Sequence, residues 1–170
     1  LTTVDRTRRV GELRFEGVPA EDWIGGEGAA AEGIVRMLDA GRVALAADLL
    51  GASERCLEKA VEYAKQRKQF GRPLAAFEGI QFEAVDSWMT LQSDRHLTYH
   101  AAWIMDEVYG KGNKNYTKLD IAKYTAAAKY KAPHNALDTI TRAMTWHGAF
   151  GYSKECPLEA SYRGVRSYTV

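Results

Sequence analysis

From about Glu27 onward, apolar positions recur at steps of three and four. Ile34, Leu38, Arg42, Leu45, Leu49, Ala52, Cys56, Ala60, Tyr63 and Arg67 fall on one stripe. That spacing predicts a single helix of about ten turns. Gly41 and Gly51 weaken it locally without ending it. The same period returns from about Ala76 to Val108, with Phe77, Ile80, Ala84, Trp88, Leu91, Arg95, Ala102 and Met105 on the face expected to be buried. A polar, turn-rich loop, Gly110-Lys-Gly-Asn-Lys-Asn115, separates it from a third stretch, Thr117 to Trp146. There Leu119, Ala122, Ala126, Tyr130, Leu137, Ile140 and Met144 share a side, and Pro133 should kink or interrupt the helix. His147-Gly-Ala-Phe-Gly151 ends the helical pattern, and a short helical turn is expected near Pro157–Ser161.

Residues 1–25 have a different rhythm. Val10, Leu13, Phe15 and Val18 roughly alternate, punctuated by Gly11, Gly17, Pro19 and Gly25-Gly26, which reads as strand and loop. One or two strands cannot bury a face alone. The expected fold class is therefore all-α. It is an antiparallel up-down bundle with three long helices of a four-helix bundle and a short β segment at the N-terminus. The expected division is residues 1–25 as a β-domain end and linker, then 26–170 as the helical bundle. The chain opens on Leu1 and stops at Tyr168-Thr169-Val170. Both ends are expected to be cut, with the bundle's fourth helix following Val170.

Composition narrows the function classes. The 170 residues carry 23 Lys and Arg against 22 Asp and Glu. Such balanced, interspersed charge argues against non-specific nucleic-acid binding, which needs a basic patch. No apolar run reaches membrane-spanning length, so no membrane partner is expected. Cys56 and Cys156 lie far apart in sequence without a CxxC neighbour, which suggests reduced thiols in a cytoplasmic protein.

The residues that suggest chemistry cluster at helix ends. Tyr63-Ala-Lys-Gln-Arg67-Lys-Gln69-Phe70-Gly71-Arg72-Pro73-Leu74 closes the first helix with a cation, an aromatic ring and a turn. Arg67 is a planar, permanently charged fork suited to phosphate, and Phe70 offers a flat apolar face. The alternative is an ordinary helix C-terminus, in which basic residues complement the dipole and Gly stops the helix. Arg42 lies on an apolar stripe with Asp39 one turn earlier, either facing a ligand or forming a structural ion pair. His147-Gly148-Ala149-Phe150-Gly151-Tyr152 can bring backbone N–H groups close to a phosphate or a flat ring. His96 and His100 have metal-ligand spacing, but no third ligand is evident and no metal is expected.

Together these segments resemble the C-terminal part of an acyl-CoA dehydrogenase, collinearly over nearly all of the chain. The resemblance rests on Leu38-Asp39-Ala-Gly41-Arg42, on Tyr63-Ala-x-x-Arg67-x-Gln69-Phe70-Gly71-x-Pro73-Leu74 with Phe77-x-x-Ile80-Gln81, and on His147-Gly148-Ala149-Phe150-Gly151-Tyr152 followed by Glu155-x-Pro157-Leu158-Glu159 and Tyr162-Arg163. Residues 1–20, with Val18-Pro19, resemble the last strands of the family's middle β-domain.

The resemblance implies α,β-dehydrogenation of an acyl-CoA thioester with FAD, and electrons leaving to an electron-transfer flavoprotein. It implies that Arg67, Gln69 and Phe70 contact the FAD pyrophosphate of a neighbouring subunit. Leu74, Phe77 and Ile80 would border the adenine. The stretch from Thr145 to Ala149 would lie against the flavin ADP, with Thr145, Gly148 and Ala149 in contact. Asp39 to Arg42 would line the acyl-CoA side, Asp39 and Arg42 binding substrate. A shared flavin implies a homodimer or homotetramer. Rival readings are an acyl-CoA oxidase or flavin monooxygenase on the same fold, or a non-catalytic helical oligomerisation module. The sequence departs from the family at Thr145, usually Gln, at Ala149, usually a second Gly, at Gly164, usually Asp, and in having Pro133. No catalytic base is assigned. The common family base is expected just beyond Val170, and in one branch its position corresponds to Gly41, which cannot act as one.

Overall fold

The structure is a computed structural model that describes residues 3–5, 10–19, 21–22, 25–26 and 28–169. Three long helices carry it: α1 (Ala30–Gln66), α2 (Glu78–Met105) and α3 (Lys118–Trp146), with a short α4 (Glu159–Arg166) after them. Between α1 and α2 lies a two-stranded antiparallel ribbon, β1 (Lys68–Gln69) and β2 (Arg72–Pro73), followed by a 3₁₀ turn at Leu74–Ala76. α2 runs into a single π turn at Asp106–Gly110, and α3 into a 3₁₀ turn at Gly148–Tyr152. The all-α bundle expected from periodicity is present, and its three long helices all pack against one another.

The interior is built from small side chains. Ala128, Ala132, Ala136 and Ala143 of α3 meet Ala46, Leu49, Cys56, Leu57 and Ala60 of α1, with Leu91 of α2 closing the cluster. Small residues let helix backbones approach closely, so bulky rings are displaced outward. This accounts for the first correction to the sequence reading. On α2 the buried face is Ser87, Leu91, Asp94, Thr98, Ala101 and Ile104, about one residue round from the expected stripe. Trp88, Leu119 and Tyr130, expected inside, are exposed, as are Ile34 and Leu38 at the start of α1. Arg95 sits at the helix boundary, where Nη2 lies 2.6 Å from Glu54 Oε1 of α1.

Two further expectations change. Pro133 is fully buried within an uninterrupted α3, its missing N–H tolerated by surrounding packing. Residues 10–19 form no strand, and Val10, Leu13, Phe15 and Val18 are exposed, because an isolated segment has no sheet edge to pair with. The rest of residues 1–9 falls mostly outside the described residues. α3 starts with a full capping box. Thr117 Oγ1 accepts from Asp120 N–H, and Asp120 Oδ2 accepts from Thr117 N–H at 2.8 Å.

Candidate functional site

α1 ends at Gln66, where Arg67 turns extended while its N–H still bonds to Tyr63 O at 2.8 Å. Gln69 pairs with Arg72 across the ribbon, leaving Phe70 and Gly71 as a two-residue loop. Both have positive φ, 52° and 80°. That combination is the signature of a type I′ hairpin turn, which matches the right-handed twist of the two strands. Gly71 adopts it freely, whereas a bulky side chain such as Phe70 is strained there by about 1–3 kcal/mol. The Phe70 ring is 93 % exposed, so no burial in this chain offsets the strain. Leu74 N–H bonds to Arg67 O at 2.9 Å and closes the ribbon onto the helix end. Arg72 lies over the Phe77 ring at 4.0 Å, and Phe70 meets Phe77 edge-on.

A second turn comes in from the C-terminus of α3. Gly148 takes φ 60° just past the capping residue His147, the left-handed position at which glycine ends helices. Gly151 is required for a different reason. A Cβ there would stand 2.0 Å from Met144 O, so the turn folds tightly back on the last turn of α3. His147 is 7 % exposed and stacks on Tyr63 with ring centroids 4.1 Å apart. Its Nδ1 lies 2.7 Å from Ala143 O. Trp146 Nε1 donates to Glu83 Oε2 at 2.7 Å and fixes this end of α3 to α2.

The two turns flank an open cavity of about 480 Å³. Arg67, Gln69 and Leu74 form one wall, and Thr145, Gly148 and Ala149 form the other. Tyr63, Trp146, His147 and Phe150 complete it. Residues more than seventy positions apart in sequence, expected to share a ligand, therefore do share a cavity. Phe70, Phe77 and Ile80 lie outside it, Phe70 at the ribbon tip and Ile80 packed against the core. No carboxylate lines this cavity, and Arg67 has no ion-pair partner among the described residues. Thr145 Oγ1 donates to Thr141 O at 2.9 Å, so its hydroxyl hydrogen is turned to its own helix. The sequence reading did not anticipate the Tyr63–His147 stack or Phe150. Both partners of the stack were visible at helix ends, but their meeting depends on how α1 and α3 pack.

Asp39 and Arg42 sit far away, roughly 42 and 37 Å from Arg67 along α1 at 1.5 Å per residue. Asp39 is 2 % exposed and is held by three elements. Arg42 Nη1 lies 2.8 Å from Oδ1, Thr125 Oγ1 of α3 3.2 Å from the same oxygen, and Tyr109 OH donates to Oδ2 at 3.0 Å. Burial and the Asp39 charge both push the Tyr109 phenol above its ordinary range. Arg42 remains partly exposed at this end of the bundle. Among the described residues no group of three or more His, Cys, Asp or Glu could hold a metal ion, and His100 instead stacks on Trp103. Among the same residues, no helix is long and apolar enough to cross a membrane.

Comparison with known proteins bears directly on this geometry. The family profile described as acyl-CoA dehydrogenase, C-terminal domain, matches residues 27–170. An acyl-CoA dehydrogenase of Bacillus subtilis (strain 168) is 37 % identical over 157 residues, covering 91 % of this chain and 39 % of its own length. The caffeyl-CoA reductase-Etf complex subunit CarC of Acetobacterium woodii is 33 % identical over 153 residues, covering 90 % of this chain and 38 % of its own length. The solved structure of butyryl-CoA dehydrogenase from Megasphaera elsdenii superposes with a TM-score of 0.72 at 35 % identity, covering 85 % of this chain and 36 % of that one. The chain thus spans about two fifths of the length of the curated relatives it matches.

Proposed function

Because this chain belongs to the acyl-CoA dehydrogenase family, we propose that it is the C-terminal helical part of a flavin-dependent enzyme that introduces an α,β double bond into an acyl-CoA thioester. Residues 26–170 are the helical-bundle domain, and residues 1–25 are the end of a preceding β-domain and its linker. The observation that carries the reading is the acid-free cavity beside Arg67, which has no ion pair among the described residues. A guanidinium so placed and a wall without carboxylates suit a diphosphate, and the exposed Phe70 suits a flat ring.

FAD, when bound, supplies the hydride acceptor. This chain contributes binding and orientation. Arg67 and Gln69 hold the diphosphate, with the Gly148–Ala149 backbone opposite. Leu74, Phe77 and Ile80 border the adenine, and Phe70 reaches outward from the strained ribbon tip. Thr145 contributes its methyl and an oxygen lone pair, since its hydrogen is directed to Thr141 O. At the other end of α1, Asp39 holds Arg42, whose partly exposed guanidinium is offered to the acyl-CoA. No proton-abstracting role is assigned to these residues.

Outward projection of Arg67 and Phe70 fits a flavin shared across a homodimer or homotetramer. An electron-transfer flavoprotein is the proposed electron acceptor, in keeping with the Acetobacterium relative described as part of an Etf complex. Fatty-acid metabolism in the cytoplasm is the proposed setting, and two buried free thiols suit a reducing compartment. The test is to purify the full chain and titrate it anaerobically with butyryl-CoA and longer acyl-CoAs. The reading expects a yellow protein whose flavin absorbance bleaches. A colourless protein, or flavin that no acyl-CoA reduces, would overturn it.

A further inference from the structure

His147 is a buried residue of the cavity whose polar chemistry is half used among the described residues. Its Nδ1 lies 2.7 Å from Ala143 O, a carbonyl that can only accept, so Nδ1 carries the proton. With Nδ1 as the donor, the neutral tautomer of the ring has its lone pair at Nε2. Among the described residues Nε2 has no hydrogen-bond partner, and it is not one of the buried polar atoms sealed from solvent. The ring cannot readily turn to find a partner. It is 7 % exposed and clamped face to face on Tyr63 at 4.1 Å.

The same imidazole lines a second cavity of about 360 Å³, where Arg55, Lys59 and the carboxylate of Glu62 stand, and which shares Tyr63 and Phe150 with the first. His147 is therefore a partition between two concave surfaces, of which only the Arg67 side is free of carboxylates. An acceptor in such a place is mismatched to a phosphate oxygen, which is itself an acceptor. It is matched to an O–H or N–H donor lying next to a phosphate.

We propose that His147 Nε2 accepts a hydrogen bond from a ribose hydroxyl of the nucleotide whose diphosphate Arg67 holds. His147 is then a specificity-determining contact, selecting ribonucleotide over deoxyribonucleotide. This rests on the flavin reading above. In a nucleoside diphosphate the sugar hydroxyls are the donors nearest the phosphates, whereas the exocyclic amine of the base is more remote. Losing one such hydrogen bond while leaving its acceptor unpaired changes affinity by about tenfold.

The test uses the full chain, freed of flavin, at a pH where the ring's protonation is read directly by NMR. ADP, 2′-deoxy-ADP, 3′-deoxy-ADP and inosine diphosphate are titrated calorimetrically against the wild type, His147→Phe and Arg67→Ala. His147→Phe keeps a ring to stack on Tyr63, and its melting curve reports whether the turn survives. Nitrogen-15 NMR of the histidine rings gives the tautomer directly.

The inference expects ADP to bind about tenfold more tightly than one of the deoxy analogues and His147→Phe to abolish that preference. It also expects a Nδ1–H tautomer whose Nε2 resonance moves on adding ADP. If ADP binds through Arg67 but both deoxy analogues bind equally well, or the preference survives in His147→Phe, the inference is overturned and the flavin reading stands. Discrimination only against inosine diphosphate would assign Nε2 to the base and also overturn it. If ADP binds the wild type no better than Arg67→Ala, both readings fall.

Discussion

The body of the bundle and its Arg67 end solve opposite problems. In the body, helices approach over alanines, and the buried carboxylates have partners: Asp39, toward the opposite end of α1, has three donors, and Asp94 has Asn135 Nδ2 at 2.8 Å from both oxygens. At the end, Phe70 is strained and 93 % exposed, and among the described residues Arg67 has no ion pair and His147 Nε2 no hydrogen-bond partner. The first region minimises its own free energy. The second holds costly conformations that no contact among the described residues compensates, the arrangement expected where a ligand completes the structure. Stability and binding should therefore separate on mutation.

The largest effect should come from Asp39→Ala. It leaves Thr125 and Tyr109 hydroxyls and one edge of Arg42 unanswered, and should cost about 2–4 kcal/mol in urea unfolding. ADP affinity at the far end of α1 should be unchanged. A parallel loss of nucleotide binding would erase the distinction between the two regions.

Gly151→Ala is the change that should breach the division. Its methyl would press on the backbone of Met144, which cannot move as a side-chain tip could. We expect about 1–3 kcal/mol of destabilisation, together with weaker ADP binding as the 148–152 turn is pushed off α3. Thermal melts and calorimetry on one sample check both.

Phe70→Asn should move the two properties in opposite directions. Asn tolerates positive φ and favours the type I′ turn, so the variant should gain about 1 kcal/mol. Flavin affinity should fall. A variant that loses stability would mean that the ring is held by the ribbon rather than against it.

The smallest effect concerns pH. Burial pushes the Asp94 carboxyl above its ordinary 3.8, opposed by the Asn135 hydrogen bond and by Lys131. A raised folded-state value means that the folded protein holds this proton more tightly than the unfolded chain. That contribution is full below 3.8 and is lost as pH rises through the folded value. Asp94→Asn should therefore match or exceed the wild type near neutrality by about 1 kcal/mol or less, and lose the advantage in acid. Urea midpoints across pH read this directly. An advantage that grew in acid would reverse the sign.

The long helices were legible because a 3.6-residue period survives over 28 residues or more, as in α2. Which face they bury was less so. Trp88 and Leu119 are apolar and correctly phased, yet the close approach permitted by Ala128, Ala132 and Ala136 turns the packed face toward Ser87, Asp94 and Thr98. Small polar residues on a packed face carry no apolar signal. Within the candidate site, Arg67, Gln69, Leu74, Thr145, Gly148 and Ala149 were readable from local turn chemistry and family resemblance. The strain at Phe70 was not, because φ at a hairpin tip depends on the pairing of Gln69 with Arg72. The clamp on His147 was not either, since it arises only where α1 and α3 cross.

If the Arg67 end binds the flavin nucleotide and does little for the fold, Arg67→Ala in the full chain separates the two properties, with the FAD dissociation constant and the thermal midpoint measured side by side. Flavin affinity should weaken at least tenfold, the scale of a lost charge-assisted contact, and the midpoint should be unchanged. Unchanged affinity with a lowered midpoint would make Arg67 an ordinary helix-end cation and would remove the case for a flavin site at this end.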